Sequence, residues 1–145
     1  MKLNTFLKQD KYCSVKLKRL KTNHLQLKAN INGICGVFIL DTGASNSCID
    51  LKLSEFFKIK STISTEKASS ATDEISNTMI SKKNTIEIGK WSKDKFQIVL
   101  FDMSHINKTL NEQGAKNVSG IIGSDLLKKG NGVIDYSGKK LFLKN

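Results

Sequence analysis

Val37-Phe38-Ile39-Leu40-Asp41-Thr42-Gly43-Ala44-Ser45 is the stretch on which the fold of this chain turns. Its four leading apolar residues end the run Ile34–Leu40, interrupted only by Cys35 and Gly36, and such a run reads as a central strand. A carboxylate, Asp41, stands where that strand opens into a loop. Just upstream, Leu25, Leu27, Ala29 and Ile31 alternate with Gln26, Lys28 and Asn30, the period of a half-buried strand. Between the two, Asn32-Gly33 offers the pair of residues that accept positive φ most readily, which predicts a tight hairpin. Asp41 is thus expected at the far end of a hairpin's second arm.

Farther out, the pattern stays mostly β. Val15 and Leu17 alternate with Lys16 and Lys18 and predict an earlier strand. Residues 48–59 predict a short helix turning Leu51, Leu53 and Phe56 or Phe57 inward, and the Ser- and Thr-rich residues 60–76 a mobile hairpin. Residues 85–88 and 96–101 read as strands flanking a Gly89-Lys90-Trp91 turn, with Trp91 a partly buried anchor, and 104–113 as a helix ending near Gly114. The tail predicts a buried strand at 120–123 and a short helix to Gly130 capped by Ser124. A strand at 133–136, a Ser137-Gly138 turn and a last strand at 141–143 complete it. There is no proline, and the ten glycines fall between apolar runs, where turns belong. Many short strands with few helices predict a mainly β closed barrel with one or two short helices.

Asp41-Thr42-Gly43-Ala44 behind an apolar strand, followed late in the chain by Ile121-Ile122-Gly123-Ser124-Asp125-Leu126-Leu127, resembles the retropepsin-like aspartic proteases. Gly132-Val133-Ile134-Asp135-Tyr136 with Lys140-Leu141-Phe142-Leu143 resembles that family's closing hairpin, so the likeness runs over most of residues 25–143. It implies a six-stranded acid-protease barrel over 21–145, residues 1–20 being an N-terminal extension or first strand, and an aspartic endopeptidase acting on extended peptides. Hydrolysis by carboxylates needs two of them in contact, one ionised to activate water and one protonated to donate. They share a proton because like charges that close cannot both ionise. The chain holds one Asp-Thr-Gly, so the second carboxylate must come from a C2 mate, and a homodimer is expected with Asp41 catalytic in each subunit.

The resemblance also implies roles for the neighbours. Thr42 would lock the two loops across the two-fold axis through its hydroxyl. Gly43 would leave room for substrate and bring its N–H to the carboxylate. Ala44 stands where pepsin-like sites carry a serine; the missing hydroxyl predicts dyad pKa values above those of pepsin-like sites and activity at mildly acidic pH. Ser45 and Cys48 are expected to pack near this loop. A flap is implied at 64–75, with Ala68, Ser69, Ser70 and Ala71 small enough to form its turn. Together with Ile122 and Gly123 of the second loop they are the candidate substrate-binding residues. Two departures stand out. The Arg after the second Gly and the Asp four positions past the catalytic one, an ion pair in many retroviral members, are here Ser124 and Ser45. The flap segment lacks glycine, which favours the alternative of a catalytically silent peptide-binding or dimerisation module on the same fold.

Composition narrows the rest. The 145 residues, 39% apolar and 26% charged, suffice for one domain with a core, and no run approaches a membrane span. The first twenty residues show neither an apolar signal core nor a cleavage site, so a cytoplasmic protein is expected. Cys13, Cys35 and Cys48 read as unpaired buried thiols, and with only His24 and His105 beside them neither a metal site nor a His-based triad is expected. No cofactor is expected. The net charge of +11 raises a nucleic acid or an anionic surface as partner. With Arg19 the sole arginine and lysines all along the chain, a solvated lysine surface is read instead, and neither nucleic acid nor membrane is expected. Asp125, after Ser124, reads as a helix-start carboxylate, and Asp50, Asp94 and Asp102 as surface groups.

Overall fold

In the computed structural model, which describes residues 1–60, 62–63 and 78–145, the chain opens with α1 (Leu3–Gln9), β1 (Cys13–Lys16) and β2 (Lys18–Arg19). Then come β3 (Leu25–Ile31), β4 (Ile34–Leu40), β5 (Cys48–Asp50), a 3-10 turn (Leu51–Leu53) and β6 (Thr62–Ile63). The second half holds β7 (Met79–Ile88), β8 (Trp91–Phe101), α2 (Ser104–Glu112), β9 (Gly120–Ile122), α3 (Ser124–Lys129), β10 (Val133–Asp135) and β11 (Lys140–Leu143).

The β3–β4 hairpin forms in the expected register, Leu25 opposite Leu40 through Ile31 opposite Ile34. Asn32 and Gly33 turn it with φ of 51° and 84°. Asn32 does more than turn. Its amide Nδ2 donates to the Phe57 carbonyl at 2.9 Å and to Asn84 Oδ1 at 3.1 Å, while its Oδ1 accepts from the Thr85 N–H at 3.0 Å. The hairpin tip is thereby riveted to the turn that follows the 3-10 segment and to β7.

Hydrogen bonding runs β3-β4-β9-β5-β8-β7, and β7 pairs back onto β3 through Asn30/Glu87 and Ile31/Ile86, closing a six-stranded barrel. Strands β2 and β6 extend the sheet beyond the ring. Two pairings are parallel, β4 with β9 and β5 with β8, so chain segments far apart in sequence meet where β4 ends. The barrel is filled by Leu25, Leu27, Ile31, Phe38, Ile49, Ile86, Phe96, Ile98, Leu100 and Ile122, inward residues of its strands, together with Phe57 from the turn that follows the 3-10 segment. A second sheet, β1-β11-β10, joins the two ends of the chain, with Cys13 opposite Leu143. Among the described residues no helix is long and apolar enough to cross a membrane.

Several local expectations are corrected. Residues 48–50 are a strand, not the start of a helix, because Cys48, Ile49 and Asp50 are all buried between β9 and β8; only one 3-10 turn follows. The β7–β8 turn is Gly89-Lys90, and Trp91 begins β8 fully buried at 1% exposure. Helix α1 was not expected. Ser124 does not cap α3; Gly123 occupies that position, and Ser124 is the first helical residue. Asp50 is no surface group but is 7% exposed, its Oδ1 accepting from the Lys52 and Met103 N–H groups. The predicted hairpin over 60–76 lies largely, and the flap residues Ala68, Ser69, Ser70 and Ala71 lie wholly, outside the described residues.

All three cysteines are unpaired, but only Cys48 is buried; Cys13 is half-buried and Cys35 exposed. Burial pushes the Cys48 thiol up to about 12, opposed by a backbone hydrogen bond from Ile121 and assisted by the charges of Asp125 and Asp41. A raised acid stays neutral in the fold. Its contribution to stability is whole below the thiol's ordinary value of 9.0 and is lost as pH rises from there toward 12. At pH 8 a maleimide is expected to label Cys35 first and Cys48 only on unfolding; mass spectrometry of timed samples reads the order.

Candidate active site

The loop after β4 is built by backbone bonds before any side chain acts. The Asp41 N–H donates to the Ile122 carbonyl at 2.9 Å, extending the β4–β9 pairing by one residue, and the Ala44 N–H returns to the Asp41 carbonyl at 3.2 Å. The Gly43 N–H donates to Asp41 Oδ1 at 2.9 Å, so the carboxylate is held over the turn by a charge-assisted bond. Asp41, Thr42 and Gly43 are exposed, Ala44 is half-buried and Ser45 exposed. A carboxylate at the rim of a buried strand, oriented from below and open above, can take a second charged group or a water on its free side.

The second loop locks onto this one. Ser124 donates to the Ala44 carbonyl twice, from its N–H at 2.8 Å and its Oγ at 3.0 Å. One residue further, the Asp125 carboxylate accepts from the Ser47 N–H at 2.9 Å and the Ser47 hydroxyl at 2.7 Å, and that hydroxyl accepts from the Gly123 N–H at 2.9 Å. Ser47 is 2% exposed, so these bonds are made away from water and each polar group is answered. Where Ser45 and Ser124 leave no ion pair, a neutral hydroxyl and a carboxylate one place on in α3 hold the loops instead.

The second-loop candidates Ile122 and Gly123 lie inside this clamp. Ile122 is 1% exposed with its side chain in the barrel core, and a Cβ on Gly123 would come within 2.6 Å of the Ala44 carbonyl. His24 and His105 are both exposed; His24 contacts Thr22 Oγ1 at 2.7 Å through Nδ1. Asp102 is exposed, and hydrogen bonds from Ser104 with the charge of Lys52 hold its pKa below the ordinary value. Sequence reading missed Ser47. It lies 78 residues from Asp125, and no local period marks such a pair.

Removing the acceptor tests the clamp. Asp125→Ala leaves the Ser47 N–H and hydroxyl without it and is expected to cost about 1–3 kcal/mol, whereas Asp125→Asn keeps one oxygen and costs less. Urea unfolding of the two variants measures the difference.

The aspartyl protease family model matches residues 27–126, which contain most of the β3–β4 hairpin, the Asp41 loop and the start of α3. No curated protein sequence matches the chain. Three solved structures share the fold. A retropepsin-like aspartic protease from Rickettsia conorii superposes with a TM-score of 0.61 at 15% identity, over 91% of this chain and 90% of that one. The retroviral protease-like domain of Ddi1 from Leishmania major gives 0.55 at 16%, over 84% and 89%. The EIAV protease, complexed with an inhibitor, gives 0.53 at 18%, over 77% and 88%. A family match across most of the chain, on a retropepsin-like fold, makes this protein a member of the aspartyl protease family.

Proposed function

We propose that the protein is an aspartic endopeptidase working as a C2 homodimer, with Asp41 of each subunit forming the catalytic pair. One observation carries this reading: each chain presents one Asp-Thr-Gly carboxylate, exposed at the end of β4 and held by the Gly43 N–H, in a family that hydrolyses peptides with aspartates. In the dimer the two carboxylates share a proton. The ionised one takes a proton from water as it attacks the peptide carbonyl, and the protonated one donates to the departing amine. In this reading Thr42, exposed beside Asp41, donates across the axis, and Gly43, also exposed, leaves room above the carboxylate for an extended peptide.

The dimer makes a kinetic prediction. Diluting the enzyme through its dissociation constant is expected to lower specific activity in proportion to the dimer fraction, measured by sedimentation on the same samples. With Ala44 in place of a hydroxyl donor, the pH–rate profile is expected to peak at mildly acidic pH. A peak near pH 2, or specific activity independent of dilution while the dimer dissociates, overturns the mechanism. A folded dimer that cuts no member of a mixed peptide library between pH 3 and 7 is the catalytically silent module.

A further inference from the structure

A cleft of about 810 Å³ is formed by the 3-10 turn, α2 and the residues that lead into β9. Its volume suits a small ligand, and no residue of the Asp41 loop lines it. Side-chain and backbone bonds tie its walls to a common floor. The Asp50 N–H donates to the Ser119 carbonyl at 2.9 Å. From α2, Asn107 holds both backbone groups of Val118, Oδ1 accepting from the N–H at 2.8 Å and Nδ2 donating to the carbonyl at 3.3 Å. The concavity is therefore built into the fold and does not depend on a loop closing over it.

Charges of both signs line this cleft, and several are unanswered. Asp50 is only 7% exposed, yet it is part of the lining. Its Oδ1 accepts from the Lys52 and Met103 N–H groups, at 3.3 and 3.4 Å, while among the described residues its Oδ2 accepts from none. A carboxylate taken so far out of water and half satisfied by the protein is stabilised by any further donor that reaches it. On the α2 wall, Lys108 and Glu112 stand four residues apart, the spacing at which opposite charges meet. Among the described residues neither one forms an ion pair. Lys52, by contrast, is held by the Ser104 hydroxyl and by Asp102 at 3.6 Å.

We propose that this cleft binds a short peptide with both ends free, its ammonium group on Asp50 and its terminal carboxylate on Lys108. Charge complementarity selects the class. A simple anion would lie against Asp50 and Glu112, and a polyamine against Lys52 and Lys108, whereas a zwitterion sets each of its charges against an opposite one. The lining holds no aromatic ring on which a nucleobase could stack. It does hold Asn117, exposed at the foot of the cleft, whose amide both donates and accepts as a peptide unit requires. Peptide hydrolysis releases ligands of this class, so the site gains its meaning from the proposed activity, although the binding itself does not rest on it.

The test is calorimetric titration of the full chain with trialanine, its N-acetyl form and its C-terminal amide, at about pH 7, where both free ends are ionised. Trialanine is expected to bind, and blocking either end to weaken it about ten-fold, the effect of losing one hydrogen bond between charged groups. Lys108→Gln, at an exposed helix position, is expected to weaken trialanine about ten-fold and to remove its advantage over the amide. Asp50→Asn is expected to remove the advantage over the N-acetyl form, with a thermal melt to check folding; if that variant does not fold, Lys108→Gln decides alone. Asp41→Asn is expected to bind trialanine as the wild type does. Absence of binding, equal binding of the blocked forms, or affinity unchanged in Lys108→Gln overturns the proposal. So does loss of binding in Asp41→Asn, which moves the peptide to the other site, or tighter binding of spermidine or inorganic phosphate than of trialanine. Cleavage is read separately, so a chain that binds trialanine but cuts nothing fails the proposed function alone.

Discussion

Asp41→Asn is expected to lower peptide cleavage by about 10³-fold or more while leaving the melting temperature nearly unchanged. The side chain is exposed, and Asn keeps an oxygen where Oδ1 accepts from the Gly43 N–H, so the turn survives. Exposed, isosteric changes of this kind move stability by no more than about 0.5 kcal/mol. What is lost is the chemistry: an amide pair holds no shared proton, neither accepts one from water nor donates one to the leaving amine. The assay is cleavage of a mixed peptide library by both proteins between pH 3 and 7, with a statine-type transition-state mimic as inhibitor. Activity that persists in the variant assigns the hydrolysis to other residues. Heterodimers in which a single subunit carries Asn are expected to be as inactive as the double variant, because the pair functions as a unit.

Gly120→Ala is expected to destabilise the fold by about 3 kcal/mol or more, a large part of a small domain's total stability. Gly120 opens β9, the strand inserted between β4 and β5, and a Cβ there would stand 2.0 Å from the Cys48 carbonyl oxygen and 3.0 Å from the Ile49 Cα. Both neighbours are backbone atoms of a buried strand, so no side chain can swing aside. Relief requires prising β5 from β9, and β5 carries Ser47 at its edge. Denaturant unfolding measures the loss. Activity per folded molecule at low temperature should fall as well, since the same movement disturbs the Ser47–Asp125 clamp beneath the Asp41 loop.

The β3–β4 hairpin, its Asn32-Gly33 turn and the position of Asp41 at the strand's end were legible residue by residue, because each depends on neighbours within a few positions. Residues 48–50 were misread because three successive buried residues, Cys48, Ile49 and Asp50, have no period to distinguish strand from helix. What decides is that β9 lies on one side and β8 on the other, contacts reaching some 50 to 70 residues along the chain. The burial of Asp50 and the outward-facing α1 escaped local reading for the same reason.

For the candidate site the division is similar. Asp41, Thr42 and Gly43 announce themselves by order alone, since a turn that presents a carboxylate to its own Gly43 N–H is a matter of three consecutive residues. That order, on a chain with one such motif, also sets the requirement for a second carboxylate from another molecule if the pair is to work. The Ser47–Asp125–Gly123 clamp and the cleft that gathers Asp50, Lys108 and Asn117 arise only in three dimensions. Local propensity is written in spacing along the chain, whereas hydrogen bonds and charges depend on which strands are neighbours. Here two parallel pairings and the β5–β9 pairing between them choose those neighbours.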